Sequence, residues 1–167
     1  MKAIWDGDWK ANHGITTKDV HVESIHNLQM HSSIFTKILL NSKLLDVVED
    51  IMGTPNILLH HTKAHLKPPG NGAPFPMHQD YHYFPYEKDS MLAVFIHLDE
   101  TNRENGGLAV FPGSHKLGPL TDMSDKPGFH YVNQEEFCIE KALPIEAKKG
   151  DVVIFSYLLV HGSFLNT

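Results

Sequence analysis

The sequence predicts a mainly β fold with flanking helices, arranged as a double-stranded β-helix of the jelly-roll (cupin-like) type. Short apolar or alternating runs recur from residue 57 onwards, separated by turns rich in glycine and proline. Two amphipathic helical segments precede these runs, which places helices on the outside of a sheet. At 167 residues the chain has the size of one domain. Within it we expect irregular and helical support over 1–53 and a jelly-roll core over 54–167.

The composition limits the classes of function. A hydrophobic fraction of 41% and a charged fraction of 20% are typical of a folded, globular chain. A net charge of −6 with a single arginine, Arg103, argues against nucleic-acid binding. The single cysteine, Cys138, excludes an internal disulfide and favours an intracellular, most simply cytoplasmic, location. We see no membrane span of roughly 20 apolar residues, no targeting peptide and no peroxisomal signal.

The N-terminal third predicts irregular chain followed by two helices. Residues 1–30 mix polar and aromatic side chains without a clear period, so we expect no regular structure there. Ser32 or Ser33 can cap a first helix. Ser42 can cap a second helix with an apolar face, which ends at Gly53.

The rest of the chain predicts strands joined by turns and one long loop. Residues 57–67 alternate with a period of two, as expected of a strand. The histidines of that run, His60, His61 and His65, are either extra metal ligands or half-exposed strand residues. The polar stretch 116–136 is long enough to be a lid or a binding loop. Further strands are predicted over 91–98, 108–111, 137–145 and 152–155.

One pattern of metal-ligating residues stands out, His78-Gln79-Asp80 together with His161. Side chains at i and i+2 of an extended strand point to the same face, so His78 and Asp80 would share a pocket. A second imidazole from a distant strand, which we expect to end at His161, completes a set of two histidines and one carboxylate. Such a facial triad is typical of non-haem Fe(II) oxygenases. Because the chain holds 13 histidines, the tripeptide alone also arises by chance.

Two stretches are more specific, His-Gln-Asp-Tyr-His-Tyr-Phe from His78 and Pro-Gly-Ser-His-Lys from Pro112. With Lys67-Pro68-Pro69, Asn105-Gly106-Gly107-Leu108 and His161-Gly162-Ser163, they resemble the phytanoyl-CoA hydroxylase (phytanoyl-CoA dioxygenase) family of Fe(II)- and 2-oxoglutarate-dependent oxygenases. The similarity runs over roughly the last two thirds of the chain. The resemblance implies that His78, Asp80 and His161 are the catalytic metal ligands. It also implies 2-oxoglutarate contacts at Lys63, Gln79 and Ser163.

The resemblance further implies a dioxygenase that hydroxylates a small organic or acyl-CoA-type substrate. Its cofactor would be Fe(II), its co-substrate 2-oxoglutarate, and ascorbate an optional addition. The expected partner is a small molecule, with no nucleic acid and no membrane, and the oligomeric state stays open. Substrate contacts would come from the 116–136 loop and from the aromatic residues that follow Asp80. The alternative interpretation of these aromatic side chains is that they pack inside the barrel.

The sequence also departs from the family pattern. The family has an apolar residue where this chain has Lys63. It also has an arginine about ten residues after the second ligand histidine, whereas this sequence ends at Thr167, six residues after His161. We therefore expect a jelly roll that is incomplete at its C-terminus, in either a fragment or a protein with a weakened co-substrate site. The alternative function is a catalytically impaired metal-binding jelly-roll fragment or interaction module, and a zinc hydrolase on the same three residues is a third hypothesis.

Overall fold

The computed structural model describes residues 2–5, 22–70 and 72–167, which divide into two compact units. The first unit contains 2–5 and 22–66 of the described residues, and the second contains 67–70 and 72–167. In the described part of the chain, no helix is both long enough and apolar enough to cross a membrane.

The first unit combines an antiparallel three-stranded sheet with two helices. Its sheet has the order β1-β2-β3. Two of these strands lie within residues 1–30, so the prediction of irregular chain was wrong there. Pairing with a strand far along the sequence stabilises them, and local side-chain alternation does not reveal such pairing. The elements are β1 (Lys2–Trp5), β2 (Val22–His26), α1 (Ser33–Leu39), α2 (Ser42–Met52) and β3 (Lys63–Leu66).

Both predicted helices are confirmed, but the predicted cap of the second helix was wrong. The Ser32 side chain caps α1 by accepting a hydrogen bond from the backbone N–H of Ile34. The residue before α2 is Asn41, so Ser42 is the first helical residue rather than the cap. Gly53 ends α2 with a φ of 65°, a left-handed conformation that glycine adopts at little cost.

The second unit holds the strands that carry the predicted site. A four-stranded sheet has the order β4-β9-β6-β7, and a separate pair joins β5 to β8, with all neighbours antiparallel. The predicted strand over 137–145 is mostly wrong, because Ile139–Lys141 forms a 3₁₀ turn and only β7 pairs. The strands are β4 (Phe75–His78), β5 (Leu92–Ile96), β6 (Leu108–Val110), β7 (Leu143–Pro144), β8 (Val152–Ser156) and β9 (His161–Ser163).

Strand β6 is buried on both faces and anchors β9. Its middle residue, Ala109, belongs to one apolar cluster with Met77 and Val160, and its two ends belong to a second cluster with Phe155 and Leu159. Successive strand residues point to opposite faces, so each face of β6 packs against a different part of the core. Because β9 pairs with β6 along its whole length, the core fixes the strand that begins with His161.

Candidate metal centre

The two histidines of the predicted triad face each other across neighbouring strands. His78 is the last residue of β4, His161 is the first residue of β9, and the two are partners in the antiparallel ladder. Their ring centroids lie 4.3 Å apart. The expectation that a strand ends at His161 was wrong, since β9 starts there. In an antiparallel pair the end of one strand lies beside the start of the other, so the two side chains still meet.

Asp80 reaches the same place because the chain stays extended at the residue between it and His78. Gln79 has φ −113° and ψ 136°, and a 3₁₀ turn then begins at Asp80. The Asp80 Oδ1 atom lies 3.8 Å from Nε2 of His78 and 3.9 Å from Nε2 of His161. Nitrogen and oxygen ligands lie about 2.0–2.2 Å from a transition metal ion, so ligand atoms about 3–4 Å apart can share one ion.

Backbone carbonyls fix the orientation of both ligand rings. The Nδ1 atom of His78 lies 2.8 Å from the Pro76 carbonyl oxygen, and Nδ1 of His161 lies 2.9 Å from that of Leu159. Since a carbonyl oxygen only accepts hydrogen bonds, each Nδ1 carries a hydrogen. In the neutral ring the lone pair is then on Nε2, the atom that faces Asp80. Metal-binding histidines are oriented in this way by a hydrogen bond on the second nitrogen. The donor set and its orientation therefore fit a divalent metal ion.

Exposure differs among the three side chains. Those of His78 and His161 are 13% and 10% exposed, whereas that of Asp80 is 26% exposed. The Phe155 ring lies 4.8 Å from the His161 ring, and the Tyr83 ring lies edge-on to His78 at 6.1 Å. Aromatic rings thus flank the histidines, and the site is more open on the carboxylate side.

The predicted co-substrate contact Gln79 is fully buried, and its amide is engaged by the backbone. Its Nε2 donates to the carbonyl oxygens of Leu158 at 2.6 Å and Gly118 at 3.0 Å, and its Oε1 accepts from the N–H of Leu120 at 2.8 Å. These bonds tie the start of the long loop to the residues just before β9. A contact between Gln79 and 2-oxoglutarate stays a prediction.

A second predicted contact, Ser163, lies two residues after His161 on β9 and is buried. Its Oγ accepts hydrogen bonds from Lys67 Nζ at 2.7 Å and from the backbone N–H of Phe75 at 3.2 Å. The Lys67 ammonium group also donates to the carbonyl oxygens of Gly106, at 2.9 Å, and of Phe164. Burial lowers the pKa of Lys67 to about 7. The third predicted contact, Lys63, is an exposed residue of β3 in the other unit, and its role stays a prediction.

The long loop adds polar groups that sequence reasoning did not single out. Residues 118–136 contain no helix or strand, which confirms a loop there. His130 Nδ1 lies 2.6 Å from Asp122 Oδ2, and the His130 backbone N–H donates to the Tyr83 hydroxyl at 3.1 Å. Burial raises the pKa of Tyr83 and lowers that of His82. Tyr83 therefore connects the loop to the ligand His78.

The three histidines that the sequence offered as extra metal ligands belong to the first unit. His65 shares a hydrogen bond with the Ser24 hydroxyl, and the rings of His60 and His61 stack edge-on at 4.9 Å, all within the first unit. Among residues 2–5, 22–70 and 72–167, one group of three or more potential ligands forms, His78, Asp80 and His161, whose ligand atoms all lie within 4.8 Å of one another. Sequence reasoning also assigned no role to three polar residues of the second unit, Lys67, Asp122 and His130. Only Lys67 lies in a motif of the sequence, directly before Pro68-Pro69, and nothing in the sequence distinguished the other two.

Known proteins resemble this chain over most of its length. The phytanoyl-CoA dioxygenase (PhyH) family model matches residues 4–167. Peroxisomal phytanoyl-CoA dioxygenase of Bos taurus is 35% identical over 156 residues, which cover 87% of this chain and 45% of the relative. A probable alpha-ketoglutarate-dependent hypophosphite dioxygenase of Stutzerimonas stutzeri is 35% identical over 130 residues, or 78% of this chain and 42% of the relative. This chain thus spans less than half the length of these relatives.

Solved structures show the same fold. The structure of EctD from S. alaskensis with 2-oxoglutarate and 5-hydroxyectoine superposes with a TM-score of 0.69 at 26% identity, covering 86% of this chain and 50% of that one. SnoK, a non-heme alpha-ketoglutarate-dependent carbocyclase from nogalamycin biosynthesis, has a TM-score of 0.75 at 18% identity, covering 99% and 62%. These likenesses confirm the jelly roll. Since the family model matches nearly the whole sequence, the chain belongs to the phytanoyl-CoA dioxygenase family.

Proposed function

We propose that this chain forms the iron and co-substrate site of an Fe(II)- and 2-oxoglutarate-dependent dioxygenase. The observation that carries the proposal is that His78, Asp80 and His161 each present one ligand atom within 4.8 Å of the other two. Two imidazoles from adjacent strands and one carboxylate from the turn after the first of them form the donor set of non-haem Fe(II) oxygenases. The relatives that carry dioxygenase names support the same reaction class.

When bound, iron and 2-oxoglutarate supply the oxidation, in which dioxygen and the 2-oxo acid give succinate, carbon dioxide and a hydroxylated substrate. The chain itself contributes orientation and charge. His78 and His161 offer neutral ring nitrogens, held in place by the Pro76 and Leu159 carbonyls, and Asp80 supplies one negative charge. A ligand set with one negative charge leaves a divalent ion partly uncompensated, which favours an anionic co-substrate.

The proposed substrate is a small organic molecule or an acyl-CoA-type thioester. This class rests on the relatives named for phytanoyl-CoA and ectoine, whereas another relative is named for hypophosphite, an inorganic anion. The Tyr83 ring beside His78 and the loop residues Asp122 and His130 are the side chains we propose to contact it. The alternative of a catalytically impaired fragment or interaction module receives no support from these relatives.

The decisive experiment measures succinate formed from 2-oxoglutarate with added Fe(II), in air and without a second substrate, with ascorbate present to supply the two electrons that a substrate would otherwise give. We expect iron-dependent succinate from the unchanged chain. The Asp80→Ala variant should lose this activity, whereas Asp99→Ala, which removes an exposed carboxylate after β5, should keep it. Near-full activity in Asp80→Ala, or no iron-dependent succinate from the unchanged chain, would overturn the proposal. Stimulation by a panel of acyl-CoA thioesters and small polar acids would then narrow the substrate.

A further inference from the structure

We propose that Lys67 is a positioning residue for the co-substrate, because its ammonium group orients the Ser163 hydroxyl and draws the second carboxylate of 2-oxoglutarate toward it. This inference rests on the proposed function and adds a residue that the family resemblance did not assign. Two independent observations carry it, the hydrogen bonds at Ser163 and the uncompensated charge of Lys67.

The hydrogen bonds that Ser163 already accepts leave its hydroxyl hydrogen available to donate to another partner. A serine hydroxyl has two lone pairs and one hydrogen. Lys67 Nζ and the Phe75 N–H both donate to its oxygen, so both lone pairs are engaged. The hydroxyl can therefore act toward a third group only as a donor. A carboxylate oxygen, which accepts only, is the complementary partner.

The direction of β9 places this donor on the side of the metal centre. Ser163 is two residues after the ligand His161, so the two side chains share one face of the strand. Gly162 between them faces the other way, where an added Cβ would lie 2.7 Å from the Phe75 carbonyl oxygen and 2.8 Å from Met77 Sδ. The face that holds Ser163 and His161 is thus the face on which a bidentate co-substrate would extend.

The charge of Lys67 has no anionic partner in the described chain. Its three acceptors, the carbonyl oxygens of Gly106 and Phe164 and the hydroxyl of Ser163, are all uncharged. Lys67 is half-buried, and a cation partly withdrawn from water without a counter-ion is costly, so an arriving carboxylate gains more here than at an exposed lysine. The lowered pKa of the lysine has the same cause, the burial of its ammonium group.

A purely structural role makes a different prediction. Lys67 ties the turn before β6 to the residues after β9, and an added Cβ at Gly106 would lie only 3.0 Å from Nζ. If this clamp were the whole role, replacing the lysine would lower stability and weaken every ligand alike. If Lys67 positions the second carboxylate, the replacement weakens dicarboxylate ligands selectively.

The test compares 2-oxoglutarate with pyruvate, a 2-oxo acid without the second carboxylate, binding to the Fe(II)-loaded chain under anaerobic conditions below pH 7, where Lys67 carries its charge. Titration calorimetry on Lys67→Met should show at least tenfold weaker 2-oxoglutarate binding and unchanged pyruvate and Fe(II) binding. Lys67→Arg should retain part of the preference, and Lys149→Met, which removes an exposed lysine, should retain all of it. Ser163→Ala should give the same selective loss with the lysine in place.

Equal weakening of both 2-oxo acids in Lys67→Met, or no weakening of either, would overturn the role of Lys67. If Lys67→Met fails to fold, Ser163→Ala decides: an unchanged ratio of 2-oxoglutarate to pyruvate affinity overturns the inference. Failure of the proposed function would give a different result. If the unchanged chain binds neither Fe(II) nor 2-oxoglutarate, both the proposed function and the role of Lys67 are wrong.

Discussion

At the scale of single residues, the metal centre depends on how the backbone holds two imidazole rings. The carbonyl oxygens of Pro76 and Leu159 each accept from the Nδ1 hydrogen of the histidine two residues later. Each ring is thereby fixed with Nε2 toward Asp80. Metal binding therefore costs little additional side-chain entropy at these two histidines. Both carbonyl groups belong to the residues that lead into the ligands, so the strand geometry itself prepares the site.

Removing one ligand should therefore have a large and specific effect. We expect His161→Ala to weaken Fe(II) binding by at least a hundredfold, since a ligand is lost from a set of three. His60→Ala should bind Fe(II) like the unchanged chain, because His60 is an exposed residue of the other unit. Anaerobic titration calorimetry measures both. If the two variants bind Fe(II) alike, His161 is not a ligand.

Lys67 should link stability to pH through its lowered pKa. In the folded chain burial lowers the pKa of Lys67 from 10.5 to about 7. Between these values the unfolded chain binds the proton and the folded chain does not, so this group makes the free energy of unfolding rise with pH. The slope is at most roughly 1.4 kcal/mol per pH unit. Below pH 7 both states are protonated and the slope from this residue vanishes.

Urea unfolding at pH 7 and pH 9 checks this linkage. Lys67→Met should show a smaller gain in the free energy of unfolding between the two pH values than the unchanged chain. The exposed Lys149 serves as the control, and Lys149→Met should keep the full gain. The same gain in Lys67→Met would show that another group carries the pH dependence.

At the scale of elements, the close approach of β4 to β9 brings the ligands together. The two strands pair through the partners His78 with His161 and Phe75 with Ser163, with an irregular register between them. Gly162 lies at this approach, where an added Cβ would meet the carbonyl oxygens of Phe75 and Pro76 at 2.7 and 3.0 Å. Only a residue without a side chain permits the strands to lie this close.

Gly162→Ala should separate these strands. Because two of the close neighbours are backbone atoms, the added methyl group cannot be accommodated by a rotamer change. We expect a loss of about 1–3 kcal/mol in the free energy of unfolding, accompanied by weaker Fe(II) binding as His161 moves away from His78. Val152→Ala, at an exposed position that begins β8, should keep the metal affinity. Urea unfolding and Fe(II) titration measure the two effects, and unchanged metal affinity in Gly162→Ala would contradict this account.

The elements also show which parts of the site local sequence could predict. The His78 and Asp80 pair followed from a two-residue period, and it holds because Gln79 is extended. The hydrogen bonds of Lys67 could not be predicted locally, because its acceptors are 39, 96 and 97 residues away. Strands β1 and β2 were missed for the same reason, since their stability comes from pairing rather than from alternation.

At the scale of the whole molecule, the ligands join segments that are far apart in sequence. His78 and Asp80 come from one end of β4, whereas His161 comes from β9, after four intervening strands. A metal ion bound between them would connect these segments in the folded state, and the unfolded chain cannot reproduce that arrangement. Binding to the folded state alone raises the free energy of unfolding by RT ln(1 + [L]/Kd).

Metal removal should therefore lower the melting temperature of the unit that carries the site. At a free Fe(II) concentration of about a hundred times Kd, the gain is about 2.7 kcal/mol, which corresponds to a shift of roughly 5–10 °C for a chain of this size. Thermal unfolding under anaerobic conditions, with Fe(II) and then with excess chelator, measures the shift. In Asp80→Ala the shift should disappear, while Asp99→Ala should retain it. A shift of equal size in both variants would place the stabilising metal ion outside this centre.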